Sequence, residues 1–477
     1  MPARSQTEWH GPNGGAEPDQ PLRVCFISAN LFGLLWPLSG LPFGGAEVQI
    51  HTLASELARN PLFEVSALTG NRVLSKRERI GDITVVLEAN FGTRQQGATQ
   101  SVEPQVASPG FAKACRRGLD RSPAVIAEAV RGLVRSAYSC RRALAPLYLG
   151  PLRRAREFVR HVRRLREWLE MLRSADADIY VTRCAAPEHW YVWFACRLLR
   201  KGFVYMVAHD NDVTGKYAKD WGRHGKRFER CLRSADAVIC QHGEQVALMR
   251  ARYGREAHLI RSSCPVPLGT RRHANRTTIL WVARVDAWKQ PEMFVDLARC
   301  MPEESFVMVA PDSQVDPDNL SRLRRAAAEL TNLRLLPTIP FEETMALFEQ
   351  AKLFVNTSQF EGFPNTFLQA AACATPIVSW TVNPENVLEK HKIGYCANGD
   401  WARFERYVRQ LCSDQALRAR LGENGRRYVQ AHHSPSASAD RFAQICRAIY
   451  NEPRRQGRLP ASASRAQEGA PHPMRNR

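Results

Sequence analysis

The residues with the clearest chemical capacity lie together in Phe360-Glu361-Gly362-Phe363-Pro364-Asn365-Thr366-Phe367-Leu368-Gln369-Ala370-Ala371. An apolar run precedes the string, Gly362 and Pro364 mark a turn, and the alanine-rich continuation predicts a helix that Asn365 or Thr366 is placed to cap. Glu361 then stands in front of the helix and Gln369 reaches from its early turns. A helix N-terminus offers free amide donors at the positive end of its dipole, which suits phosphate, and the polar neighbours could read sugar hydroxyls. Taken alone, the same residues also fit an ordinary strand-to-helix turn with a solvated Glu361.

Three further segments carry chemistry. Arg284 and Lys289, within Val-Ala-Arg-Val-Asp-Ala-Trp-Lys-Gln-Pro (282–291), follow a predicted strand at its carboxyl end, where open α/β sheets bind ligands. Two cations there can neutralise a diphosphate, Arg as a fork and Lys as a point charge. Near the start of the chain, Arg-Val-Cys-Phe-Ile-Ser (23–28) leads to Phe43-Gly44-Gly45-Ala46-Glu47, after which Val48, Ile50, Leu53, Leu57 and Ala58 recur at helical spacing. Gly44-Gly45 is thus the turn into a helix N-terminus. His209 closes the run Val204–Ala208 in Ala-His-Asp-Asn-Asp, again at a strand's carboxyl end. By itself it fits a structural histidine, and Asp210 and Asp212 beside it raise the alternative of a metal.

Positioning these segments takes two α/β units. At 477 residues the chain is too long for one ordinary core. Strand-like runs at Phe63–Thr69, Thr84–Leu87, Asp178–Thr182, Phe203–Ala208 and Ala237–Cys240 join the first. A second series comprises Thr278–Ala283, Ser305–Ala310, Leu333–Leu336, Leu353–Asn356 and Pro376–Ser379. Helical patterns between them predict open parallel sheets, hence two Rossmann-like doubly wound halves. Pro265, Pro267 and Gly269 make a linker near 262–276. The expected organisation is a tail at 1–21, a first domain at 22–265, a second at 266–435, a helix at 436–451 and a tail at 452–477. Both tails, polar and poor in large apolar residues, are expected to be disordered.

A basic helical insertion at 110–173 interrupts the first domain. Between Lys113 and Arg173 there are 16 Lys/Arg against 5 Asp/Glu, more than half of the chain's net charge of +20. In its last stretch Phe158, Val159, Val162, Leu165, Leu169 and Leu172 follow a three-four repeat with arginines between them, an amphipathic basic helix. It could dock on an anionic membrane surface, with Leu31–Trp36 and Trp190–Phe194 adding to that face, or pack on the first domain with its arginines solvated. Nucleic acid is disfavoured, because the arginines are not interleaved with aromatics suited to base stacking. No apolar run approaches the roughly 18 residues of a membrane span, and Met1–Pro21 lacks the pattern of a signal peptide. The 13 cysteines form no C-x-x-C pair and read as reduced, mostly buried thiols of a cytoplasmic protein.

Gly44-Gly45-Ala46-Glu47, Arg284 with Lys289, and Glu361-Gly-Phe-Pro-Asn-Thr-Phe-Leu-Gln369 resemble, in order and separation, the retaining GT-B glycosyltransferases of sequence family four, known as group 1. The resemblance covers most of 22–450 and is strongest over Thr278–Gly394. It implies that Arg284 and Lys289 hold the pyrophosphate of a nucleotide diphosphate sugar and that the Gly45 backbone approaches its distal phosphate. It also implies that Glu361 and His209 contact the transferred sugar, and that Gly362, Phe363, Asn365 and Thr366 border the donor. The family's second acid, which grips the ribose, is Gln369 here, so ribose is held without charge assistance. No metal and no tightly bound cofactor are expected. The helix near 436–451 resembles the family's segment that crosses back to the first domain. The implied reaction moves a sugar to a glycan or lipid-linked acceptor with retention, in the cytoplasm or on the inner face of its membrane. A nucleotide-sugar epimerase shares this architecture. So does a phosphorylase, for which no pyridoxal lysine motif is seen. A Rossmann dehydrogenase is disfavoured by the lack of G-x-G-x-x-G after the first strand. From another class, a basic membrane or nucleic-acid binding protein with a decayed cleft remains the competitor.

Overall fold

Val24 and Phe26 of the first strand, Leu22–Ile27 (β1), face one apolar layer while Cys25 and Ile27 face the other, as expected of a strand buried on both sides. The computed structural model describes residues 20–36, 43–71, 76–89, 156–269, 272–311 and 317–452. Both tails, apart from their innermost residues, and the 110–155 part of the insertion lie outside the described residues.

Seven strands join β1: Phe63–Asn71 (β2), Lys76–Ile80 (β3), Ile83–Ala89 (β4), Ile179–Arg183 (β5), Gly202–Met206 (β6), Ala237–Cys240 (β7) and His258–Leu259 (β8). Their order is β3-β4-β2-β1-β5-β6-β7-β8. All pairings are parallel except β3 with β4, an antiparallel edge that the sequence pattern does not predict. The reason is its composition: Lys-Arg-Glu-Arg-Ile is charged, as suits an exposed edge, and so carries no apolar run. A second sheet comprises Thr278–Val282 (β9), Ser305–Val309 (β10), Leu333–Leu336 (β11), Ala351–Asn356 (β12), Ile377–Ser379 (β13) and Gly394–Cys396 (β14). It runs β11-β10-β9-β12-β13-β14, parallel throughout. Each sheet is wound outward in both directions from one point, between β1 and β5 in the first and between β9 and β12 in the second.

The helix Gly45–Ala58 covers one face of the first sheet through Ile50, Leu53 and Leu57. Beside it lies Pro435–Tyr450, whose Phe442 ring stacks on Phe26 at 5.7 Å, so the last described helix packs into the first unit's core. The opposite face carries Trp168 and Leu172 from the helix at 156–175, Cys196 from His189–Leu198 and Phe228 from Arg223–Ser234. In the second unit Gln415–His432 lies directly on Asn365–Ala372: a Cβ at Gly422 would meet the Ala374 carbonyl oxygen at 2.1 Å, so only glycine permits the approach.

The described part of the basic insertion divides. Leu165, Trp168, Leu169 and Leu172 pack onto the first unit, whereas Phe158, Val159 and Val162, one to two turns earlier, are 68, 64 and 50 % exposed. Leu31 is buried, and Phe32, Leu34, Leu35 and Trp36 pack beside it, while Trp190 and Trp193 pack on the opposite layer. Both segments thus contribute to the core while keeping partly exposed side chains. Cys25, Cys196 and Cys446 are buried free thiols.

Candidate functional site

Open α/β sheets take ligands outside the carboxyl ends of their strands, at the point where the winding reverses. In the first sheet β1 leads to Gly44-Gly45 and β5 ends on Arg183. In the second, β9 leads to Arg284 and Lys289, and β12 leads to Glu361 and Asn365. The two crevices face each other, and these segments supply contacts across them, joined by Gly243 and Arg261 with Glu385.

Gly44 and Gly45 begin one helix and Asn365 begins another, and the two N-termini meet. A Cβ on Gly45 would stand 2.1 Å from Asn365 Nδ2, so the present contact between the two helix ends needs glycine there unless the Asn365 side chain moves. Pro364, the N-cap of Asn365–Ala372, supplies no side-chain hydrogen bond to its leading amides, while the first helix carries Glu47 in its first turn, whose Oε2 accepts from Gly44 N at 2.9 Å. The expectation that Asn365 or Thr366 caps the helix is therefore corrected. Asn365 is already the first helical residue, and its Oδ1 instead accepts from Gln49 Nε2 of the opposite unit at 2.9 Å. Gln49 also donates to Ser263 O at 2.8 Å and accepts from Ser263 N at 2.7 Å, fastening the linker to the first helix. Two helix N-termini converging from separate units make an anion-attracting point, tempered on the first by the Glu47 carboxylate.

Beside it, Lys289 Nζ lies 2.9 Å from Glu361 Oε2. The other oxygen of Glu361 accepts from Ser358 Oγ at 2.6 Å and Asn356 Nδ2 at 3.0 Å. Burial pushes this carboxyl upward, but the charge of Lys289 and the hydrogen bonds outweigh it and hold the group below its ordinary value. Glu361 is thus ionised at neutral pH, an acceptor for sugar hydroxyls, while the ammonium of Lys289 keeps further N–H donors for phosphate oxygens. Arg284 is about half exposed, and its Nη2 is 3.3 Å from the fully buried Asp286.

His209 follows β6 and faces the same space. Its ring stands edge-on to Phe360 at 6.2 Å, and its Nδ1 accepts the Asn211 N–H at 3.1 Å, so the neutral ring carries its proton on Nε2. Phe360 in turn stacks with Trp288 at 6.3 Å. Gly362 backs onto this loop: a Cβ there would lie 3.8 Å from Ala208 O. The side chain of Phe363 is buried and packs near His433 at 5.3 Å, leaving only its backbone for a ligand. Thr366 is partly exposed in the first turn, and Gln369 is buried further along the same helix.

Asp210 accepts from His242 Nε2 at 2.9 Å and Gln245 Nε2 at 2.8 Å, and Asp212 from Tyr205 Oη and Ala208 N, both at 2.8 Å. Among the described residues no group of three or more His, Cys, Asp or Glu is placed to hold a metal. Two residues of this region escape the sequence reading. Gln49 is hidden by its place on an apolar helix face, and Arg183 by standing one residue beyond the predicted strand. The only signal for Arg183 was an arginine closing the apolar run Ile-Tyr-Val-Thr.

Residues 270–428 match the family model described as "Glycosyl transferases group 1". A D-inositol 3-phosphate glycosyltransferase of Salinispora arenicola (strain CNS-205) is 28 % identical over 187 residues, 36 % of this chain and 41 % of the relative. The chain spans less than half the length of the curated relatives it first matches. Among solved structures, sucrose-phosphate synthase from Thermosynechococcus elongatus superimposes with a TM-score of 0.60 at 15 % identity, covering 90 % of this chain and 99 % of that one. Anabaena Alr3699/HepE, solved in complex with UDP and glucose, gives 0.56 at 15 % identity, covering 90 and 100 %. At such identity these two speak to the fold. The second unit thus resembles the group 1 glycosyltransferases, and with its two facing doubly wound sheets the chain has the GT-B fold.

Proposed function

We propose that the protein transfers a sugar, with retention of anomeric configuration, from a nucleotide diphosphate sugar to a glycan or lipid-linked acceptor. The observation that carries this reading is the meeting of two helix N-termini, at Gly45 and Asn365, beside the Lys289–Glu361 pair. As the bond from the anomeric carbon to the diphosphate breaks, negative charge grows on the leaving oxygen. Lys289, Arg284 and the two dipole ends are then the fixed positive groups that stabilise it, where one well-aimed donor is worth about a hundredfold or more in rate. The new bond forms from the acceptor oxygen to the same face of the sugar, and the acceptor's proton passes to the departing phosphate. Glu361 and the Nε2–H of His209 orient the sugar through its hydroxyls, and Gln369 binds the ribose. No metal enters this scheme.

The HepE complex with UDP and glucose makes uridine the first base to test. Thermal shift with UDP-, GDP- and ADP-sugars should single out one base. Incubation of that donor alone should release free sugar slowly and yield no epimer, and transfer to an acceptor should preserve the anomeric configuration by NMR. Accumulation of an epimer, or no stabilisation by any of the three, overturns the reading.

The lipid-linked form of the acceptor carries its own test. The exposed Phe158, Val159 and Val162 lie among the exposed Arg156, Arg160 and Arg163, an apolar wedge framed by cations, which fits an anionic headgroup boundary. Near-surface cations contribute about 1 kcal/mol each, so changing these three arginines to Gln should weaken sedimentation with anionic liposomes about a hundredfold, and salt should act likewise. A protein that ignores anionic liposomes at low salt takes its acceptor from solution.

A further inference from the structure

Arg183 ends β5 beside the reversal point of the first sheet, and it is only 8 % exposed. Its Nε is buried and has no hydrogen-bond partner among the described residues. An arginine does not shed its proton, so burying it with an unpartnered N–H is costly unless an anion meets it. The acids within range of its charge, Glu47 and Asp212, act on it without a hydrogen bond. Both are occupied elsewhere: Glu47 accepts from Gly44 N at 2.9 Å and Ser28 Oγ at 3.3 Å, and Asp212 from Tyr205 and the Ala208 amide. A plain structural counter-ion would be expected to share one of these carboxylates directly.

Although Glu47 of the Gly44-Gly45 helix lies within range of its charge, Arg183 comes from a different strand end than the groups assigned to the donor's phosphates. The phosphates are served by Lys289 and Arg284 of the second unit and by the paired helix ends, whereas Arg183 belongs to the first sheet, one strand from the His209 loop. The residues that follow, Cys184 to Pro187, are partly exposed, so the carboxyl end of β5 reaches the surface. We propose that Arg183 receives a single oxyanion, a phosphate ester or a carboxylate, carried by the acceptor. The assignment rests on the glycosyl-transfer reading for the word acceptor, but the oxyanion site can be read without it.

Wild type and Arg183→Gln are titrated calorimetrically with glucose 6-phosphate, glucuronate and glucose, each with and without UDP. One anionic sugar should bind wild type at least about tenfold tighter than glucose, a fork-type charge-assisted contact, and that advantage should vanish in Arg183→Gln and survive in part in Arg183→Lys. The phosphate and carboxylate arms distinguish the two sources. UDP binding should be unchanged, and the melting temperature of Arg183→Gln should not fall, because the substitution removes an unpartnered buried charge. No anionic advantage in wild type, an advantage that persists in Arg183→Gln, lost UDP binding, or a melting temperature lowered by more than about 5 °C, the scale of a lost structural interaction, each overturns the proposal. If wild type binds the anionic sugar but no nucleotide, the glycosyl-transfer reading fails and the oxyanion site stands.

Discussion

Lys289→Ala is expected to lower sugar transfer by about two to three orders of magnitude, the cost of losing one preorganised charge at a developing oxyanion. The geometry sets Lys289 above Arg284 in this respect. Lys289 is 16 % exposed and fixed by Glu361, whereas Arg284 is 51 % exposed and free to be screened by water. Loss of the ammonium also removes the charge that opposes burial at Glu361, leaving only the hydrogen bonds from Ser358 and Asn356 against it, so the carboxyl moves upward from its position in wild type. The residual turnover should therefore gain a new dependence on pH. Glu361 then titrates higher than in wild type, and activity falls as pH drops through that titration. Single-turnover rates across pH, with circular dichroism to verify folding, check both statements. Turnover in Lys289→Ala within threefold of wild type would remove this cleft from consideration.

Gly45→Ala should cost about a hundredfold in kcat/KM for a different reason. The added methyl falls on Asn365 Nδ2, so the Asn365 side chain must swing away and give up its bond to Gln49, or the two helix ends must part. A misplacement of about 1 Å at a reacting centre is enough for a loss of that size. The origin of the loss is separable by a double-mutant cycle. With Asn365 already Ala, the methyl has room, and Gly45→Ala should cost at least about fivefold less than it does in wild type. Purely additive effects would show that Gly45 matters for something other than this contact.

Much of the architecture is visible in the amino-acid pattern because parallel strands buried on both faces must be apolar: Val24 to Ile27, Leu280 to Val282 and Phe354 to Val355 announce themselves. The turn glycines, Lys289 and Glu361 are legible for a related reason, since charge and backbone freedom placed directly after such a strand have few uses other than a ligand. What sequence hides is partnership. Asn365 looks like a cap because its type suits one, yet its side chain is taken by Gln49, more than 300 positions away. Arg183 looks like the residue after a strand, and the lack of a partner for its Nε among the described residues exists only in three dimensions. The helix at 156–175 shows the limit of periodicity: one continuous stripe is buried at Leu172 and 68 % exposed at Phe158, a division that spacing alone does not reveal.

The helix Pro435–Tyr450 sets the order in which the molecule can be made. Phe442 and Cys446 complete the layer begun by Val24 and Phe26, so the half that leaves the ribosome first has an unfinished hydrophobic face until the final described helix arrives. Domains usually fold as they emerge, N-terminal first. Here the second unit can close on itself while the first waits, and a premature stop codon ahead of Pro435 would injure the far end of the molecule rather than the end it removes.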